Sequence, residues 1–189
     1  MERPSTAMSE LIVSHSVTET QALGRRLGEL ALAGTVLALS GELGAGKTAL
    51  TQGVASGLGV SQRVTSPTFT LVNRYPTERG FEFVHVDCYR LGEEAVEATA
   101  EAMSMGLDEI LAAEEAVVVI EWAELVRMLV PPDHLAIQLE PSPGAVNQRR
   151  ACDQSCSDRA QDGADVLHPF AKLHNDPRGF PVLYGRRAV

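Results

Sequence analysis

Gly41, Gly46, Lys47 and Thr48 in "GELGAGKT" fit the spacing G-x-x-x-x-G-K-[ST], which is suited to gripping a polyphosphate. A Cβ at the tight turns would obstruct the backbone, whose N–H groups must converge on anionic oxygens; glycine permits that approach. The start of the following helix adds partial positive charge, and Lys47 adds a full charge reaching the β and γ phosphates. The Thr48 hydroxyl can ligate Mg2+. The stretch Gly41, Glu42, Leu43, Gly44, Ala45, Gly46, Lys47, Thr48 and Ala49 is therefore the expected nucleotide-binding loop, with Glu42 pointing to solvent.

A magnesium site also needs a carboxylate, normally at the carboxyl end of a neighbouring strand. Glu121 follows the apolar run "VVVI", and Asp87 follows the alternating "FEFVHV". Both are expected at the site with Lys47, Glu121 nearer the metal beside Thr48, and Asp87 aiding the metal or orienting the attacking water. The competing role for either is to cap the next helix. "VTSPTFT", residues 64–70, lies where many P-loop proteins keep a segment that senses the γ-phosphate, and Ser66, Thr68 and the rigid Pro67 suit that task. The plain alternative is that these residues start a strand.

The elements that must hold these groups read as follows. "SVTETQALGRRLGELALAG" predicts a helix capped by Ser16 and Glu19, with Leu23, Leu27, Leu30 and Ala31 inward and Gly34 as its stop. "TVLALS" predicts a strand running into the loop, and the helix from Lys47 turns Leu50, Val54 and Leu58 inward before Gly59. "TFTLVNRY" and "FEFVHVD" form an expected hairpin. Residues 93–115 predict one or two helices broken near Gly106, with Glu93, Glu94, Glu97 and Glu101 outward. "AVVVIEW" reads as a strand buried on both faces, followed by a helix from Glu124 to Leu129 and a last strand, "HLAIQLE". The sum is an α/β, P-loop NTPase-like three-layer sandwich over residues 16–140, with a mainly parallel sheet, one antiparallel hairpin and flanking helices. Residues 1–15 read as a flexible extension and residues 141–189 as a divergent, poorly ordered tail.

At 189 residues there is room for one domain with a sizeable core. The net charge of -9 opposes general attraction to a polyanion, so DNA is not expected as a partner and any contact with RNA should be local or indirect. Three scattered cysteines do not resemble a disulfide framework, and no signal peptide or membrane span is seen, so the cytoplasm is the expectation.

"GELGAGKT", "SPTFTLVNRY", "HVDCYRL" and "IEW", in this order, resemble the bacterial TsaE (YjeE-like) family over roughly residues 16–140. The resemblance implies an ATPase that helps to place threonylcarbamoyl on the adenosine beside the anticodon of tRNAs reading A-starting codons. It would work with TsaD and TsaB proteins, with its nucleotide cycle resetting their complex between rounds. Lys47 and Thr48 would bind phosphate and Mg2+, Glu121 would bind the metal, Asp87 would serve the nucleotide site, and Trp122 would sit close to the nucleotide, its alternative role being core packing. Two departures stand out: Cys88 replaces a bulkier apolar residue, and the tail lacks the family's further strand-like sequence.

Rival readings are a small-molecule P-loop kinase, a GTP switch, and a nucleotide-binding module without turnover. Between Asp87 and Pro131 only Arg90 and Arg127 could supply a kinase lid, and the Asn-Lys-x-Asp segment that reads guanine is absent, which leaves adenine. Cys152, Cys156, His168 and His174 approach zinc-finger spacing, but Pro169 and the missing finger core argue against it.

Overall fold

The structure is a computed structural model that describes residues 11–92, 94–141, 149–153, 174–175 and 181–182. Strand β1 (Leu11–Ser14) leads into helix α1 (Val17–Leu30), and β2 (Val36–Ser40) runs through the glycine-rich loop into α2 (Lys47–Gly57). The hairpin strands β3 (Val72–Pro76) and β4 (Glu82–Asp87) follow, then α3 (Ala95–Ser104), α4 (Leu107–Leu111) and β5 (Ala116–Glu121). A 3-10 turn over Ala123–Val126, β6 (Leu135–Pro141) and β7 (Arg149–Asp153) complete the main body. A separate short pairing joins β8 (His174–Asn175) to β9 (Pro181–Val182).

The main sheet runs β1-β7-β6-β2-β5-β4-β3. From β6 to β3 its neighbours are parallel except β3 with β4, so the mainly parallel sheet with one hairpin is as predicted. Beyond β6, antiparallel β7 and β1 continue the same sheet. The sheet therefore extends past residues 16 and 140: β1 lies in the stretch read as an extension and β7 in the stretch read as a tail, and the two pair with each other. Main-chain pairing along the edge of β6 satisfies its open N–H and C=O groups and needs no apolar periodicity, the signal on which the reading relied. Most of the tail, including Cys156 and His168, lies outside the described residues, as does Glu93.

Alternation along the strands sends side chains to two apolar layers. Leu37, Leu39, Phe83, Val117 and Val119 pack with Leu50 and Val54 of α2 and with Leu58, its C-cap. Val36, Ala38, Val84, Val86, Val118 and Ile120 pack on the other face with Ala98, Ala102, Leu107 and Leu111. Full burial of each Val, Leu, Ile or Phe among them stabilises by about 1.5–3 kcal/mol, and because both faces are covered β5 reads as an unbroken apolar run. Glu94, Glu97 and Glu101 are exposed, as expected.

α1 begins where predicted, with the Glu19 N–H donating to Ser16 Oγ at 3.1 Å, but the Glu19 carboxylate accepts from the His15 N–H at 2.6 Å, one residue earlier than a capping box requires. The helix ends at Leu30 with Ala31 extended; Gly34, at φ +85, serves the turn into β2 instead. Its buried face is made by Thr20, Gly24 and Gly28, while Leu23 and Leu27 pack from the side. The predicted helix over residues 124–129 is the shorter 3-10 turn. No described helix is long and apolar enough to cross a membrane.

Candidate functional site

Gly41, Gly44 and Gly46 all take positive φ in the loop between β2 and α2. Gly41, at φ +136, could not carry a Cβ, which would stand 2.2 Å from the Leu139 carbonyl oxygen. Gly46, at φ +106, is the N-cap of α2 and leaves that helix start without a side-chain cap. Leu50 N–H closes the first turn onto the Gly46 carbonyl at 3.0 Å. Glu42, Leu43 and Gly44 are exposed, Glu42 as expected, while Ala45 is buried and Gly46 and Ala49 are half-buried.

Lys47, the first residue of α2, is only 5% exposed. Its Nζ donates to the carbonyls of Gly41 and, at 3.1 Å, Glu42, and lies 3.6 Å from the centroid of the Trp122 ring. Burial pushes the ammonium below its ordinary pKa, against the opposing pull of Glu124, Glu121 and Asp87. A cation held by peptide carbonyls and an aromatic face would gain from an incoming anion. Trp122 is placed by a left-handed backbone, φ 61 and ψ 40, a conformation costing a non-glycine residue about 1–3 kcal/mol. Tyr89 packs against the indole at 5.1 Å between centroids, and Arg90 lies over the exposed Phe69 ring at 4.9 Å.

Asp87 and Glu121 are register partners at the carboxyl ends of β4 and β5. Glu121, 2% exposed, accepts from the Thr48 hydroxyl on Oε2 at 2.9 Å; its Oε1 lies 2.8 Å from His85 Nε2 and 3.3 Å from Thr51 Oγ1. Asp87, 3% exposed, accepts on Oδ2 from the hydroxyls of Ser66 and, at 2.7 Å, Thr68, and on Oδ1 from the Tyr89 N–H at 3.1 Å.

The "TFTL" half of the predicted strand is accordingly a turn. The Pro67 carbonyl accepts from the N–H groups of Thr70 and Leu71 at 2.9 and 2.7 Å, and Leu71 adopts φ +64 before β3 begins at Val72. Hydroxyls committed to Asp87 and a proline-led turn outweigh the β propensity of the threonines.

Thus Lys47, Thr48, Glu121 and Trp122 meet in one place, and Asp87 gathers Ser66 and Thr68 beside it. Thr51 and His85 belong to the same network although the sequence reading passed over them. A signal for each was present: Thr51 stands three residues past Thr48 on one helical face, and His85 two before Asp87 on one strand face.

Among the described residues no group of three His, Cys, Asp or Glu could hold a metal unaided. The Thr48 hydroxyl with Glu121 and Asp87 is a hard-oxygen set, of the kind Mg2+ uses when phosphates and waters complete its shell. The Thr48 hydroxyl directs its hydrogen at Glu121, which leaves the oxygen lone pairs for such an ion.

Cys88 is fully buried beside Asp87, its thiol pushed up to about 12 by burial first, then by the negative charges of Asp87 and Glu124. It should therefore resist alkylation in the native protein at mildly alkaline pH, as peptide mass spectrometry would check; labelling as fast as in denatured protein would contradict this.

A chain folded this way is a three-layer α/β protein with its polar groups gathered outside the carboxyl ends of parallel strands. Its relatives narrow the class. Residues 14–151 match the family model described as "Threonylcarbamoyl adenosine biosynthesis protein TsaE", and the chain belongs to that family. It is 44% identical over 127 residues to the tRNA threonylcarbamoyladenosine biosynthesis protein TsaE of Mycobacterium tuberculosis, covering 66% of this chain and 74% of that one. The protein of the same name from Bacillus subtilis is 37% identical over 122 residues, 65% of this chain and 72% of that one. The crystal structure of Bacillus subtilis YdiB superposes with a TM-score of 0.62 at 29% identity, covering 77% of this chain and 84% of that one.

Proposed function

We propose that this TsaE-family chain binds and hydrolyses ATP with Mg2+, in the cytoplasm, as a subunit of the machinery that forms threonylcarbamoyladenosine on tRNA. Its partners on this reading are TsaD-like and TsaB-like proteins, with tRNA met only through them. The observation that carries the proposal is the convergence of Lys47, Thr48 and Glu121 where a glycine-capped helix starts beside the ends of β2 and β5. Lys47 would exchange its carbonyl contacts for phosphate oxygens, and Thr48 would present its lone pairs to the metal while its hydroxyl donates to Glu121. Bound Mg2+ would supply the neutralising charge that phosphoryl transfer needs. Asp87, loaded with the hydroxyls of Ser66 and Thr68, ties the segment ahead of β3 to the site and would orient the attacking water.

The test is ATP hydrolysis with and without purified TsaD-like and TsaB-like proteins and tRNA. Glu121→Ala should keep nucleotide binding while Mg2+-dependent release of free phosphate falls roughly a hundredfold, the upper range for losing a metal-supporting group. Parental turnover in that variant would remove the metal assignment. A phosphorylated acceptor in place of free phosphate would establish a kinase instead.

A further inference from the structure

The mechanism above gives no task to the buried histidine of β4. His85 is fully buried, its ring stacked at 6.4 Å from Phe83, with Nε2 2.8 Å from Glu121 Oε1. Its Nδ1 is buried without a hydrogen-bond partner among the described residues. Core packing alone needs no nitrogen here, and an unpaired buried polar atom costs free energy that the contact at Nε2 must offset. Because the Glu121 carboxylate accepts and does not donate, the ring presents Nε2–H to it.

The two oxygens of Glu121 are served unequally. Oε2 has the Thr48 hydroxyl at 2.9 Å. Oε1 has Thr51 at 3.3 Å, but that hydroxyl also stands 2.9 Å from the Lys47 carbonyl, and its single proton goes to the nearer acceptor. His85 is then the donor on which Oε1 depends. Two donors from opposite sides, one on α2 and one on β4, define the plane of the carboxylate; with only one, the side chain could rotate.

We infer that His85 is a positioning residue: its Nε2–H fixes the Glu121 carboxylate, and through it the Thr48 hydroxyl, in the orientation that receives a magnesium-bound nucleotide. The inference rests on the metal reading proposed above and adds to it a residue that touches neither metal nor nucleotide. Partners that orient a metal-supporting group in this way commonly change metal affinity by about 10–100-fold when removed.

The full chain and its His85→Leu, His85→Asn and His85→Gln variants would be titrated with Mg2+ in the presence of a non-hydrolysable ATP analogue, read by calorimetry, and with the analogue alone in EDTA. The glutamine amide can place an N–H near the position of Nε2, whereas the shorter asparagine reaches only the Nδ1 position. His85→Leu and His85→Asn should raise the half-saturating Mg2+ concentration by about tenfold or more, with affinity in EDTA unchanged within about twofold and His85→Gln within about threefold of the parent. Parental Mg2+ dependence in His85→Asn would overturn the inference, and so would His85→Gln as impaired as His85→Asn, since shape rather than the hydrogen bond would then be what matters. Should His85→Leu not fold, the Asn and Gln pair decides, because both carry the same amide. A parent that takes up no nucleotide sinks the functional proposal itself. A Mg2+ effect lost in Glu121→Gln but kept in His85→Asn sinks only the role of His85.

Discussion

Lys47→Ala is expected to weaken MgATP binding by roughly a hundredfold or more while leaving the fold intact, because two charge-assisted contacts of about 1.5–3 kcal/mol each would be lost. The fold should tolerate the change. Burial already disfavours the ammonium in the free protein, so deleting it removes a penalty as well as the contacts to the Gly41 and Glu42 carbonyls. Glu42 is exposed, so water can reach its carbonyl once the lysine is gone. Thermal unfolding should thus move little, and calorimetry with MgATP should show the loss. Trp122, the one tryptophan of the chain, stands 3.6 Å from Nζ, so its fluorescence offers a second reading of the same site. A variant that binds within about threefold of the parent would mean that the lysine is a structural plug and not a phosphate ligand.

The groups legible in the sequence were those whose chemistry is local. The spacing of Gly41, Gly46, Lys47 and Thr48 carries its own geometry, because each residue acts within one turn of chain. Glu121 was legible because β5 is buried on both faces and a carboxylate ending such a run needs a reason. Less could be read of groups whose partners are distant in the chain. The link from His85 to Glu121 spans 36 residues and exists only because β4 and β5 pair in one register. The turn over residues 67–71 follows from hydroxyls drawn to Asp87, which no local propensity records. Helix α1 misled for a related reason: its leucines obeyed helical spacing, yet its closest contacts are made by residues with no side chain.

Those contacts support the remaining prediction. α1 and α2 approach so closely that a Cβ on Gly53 would stand 2.2 Å from the Gln21 carbonyl oxygen and 2.9 Å from the Gly24 Cα, while one on Gly24 would stand 2.1 Å from the Leu50 carbonyl oxygen. Helix propensity alone would favour alanine at Gly53 by about 1 kcal/mol. The clash is with backbone, which cannot rotate away, so the helices must separate, and overpacking of this kind costs about 1–3 kcal/mol or more. Gly53→Val should accordingly lose about 3 kcal/mol in denaturant unfolding, since a branched side chain adds bulk and loses the propensity gain. Gly44→Ala supplies the contrast: its Cβ meets nothing within 4 Å among the described residues, and the strain of φ +80, about 1–2 kcal/mol, opposes it. Gly24 and Gly53 face each other, so Gly24→Ala with Gly53→Ala should cost less than the sum of the single changes, the second methyl entering space the first has opened. Lys47, Thr48 and Thr51 all ride on α2, and displacing it would also loosen the hold on Glu121. Full stability in Gly53→Val would mean that α2 is held by the sheet alone and that α1 has no part in placing the loop.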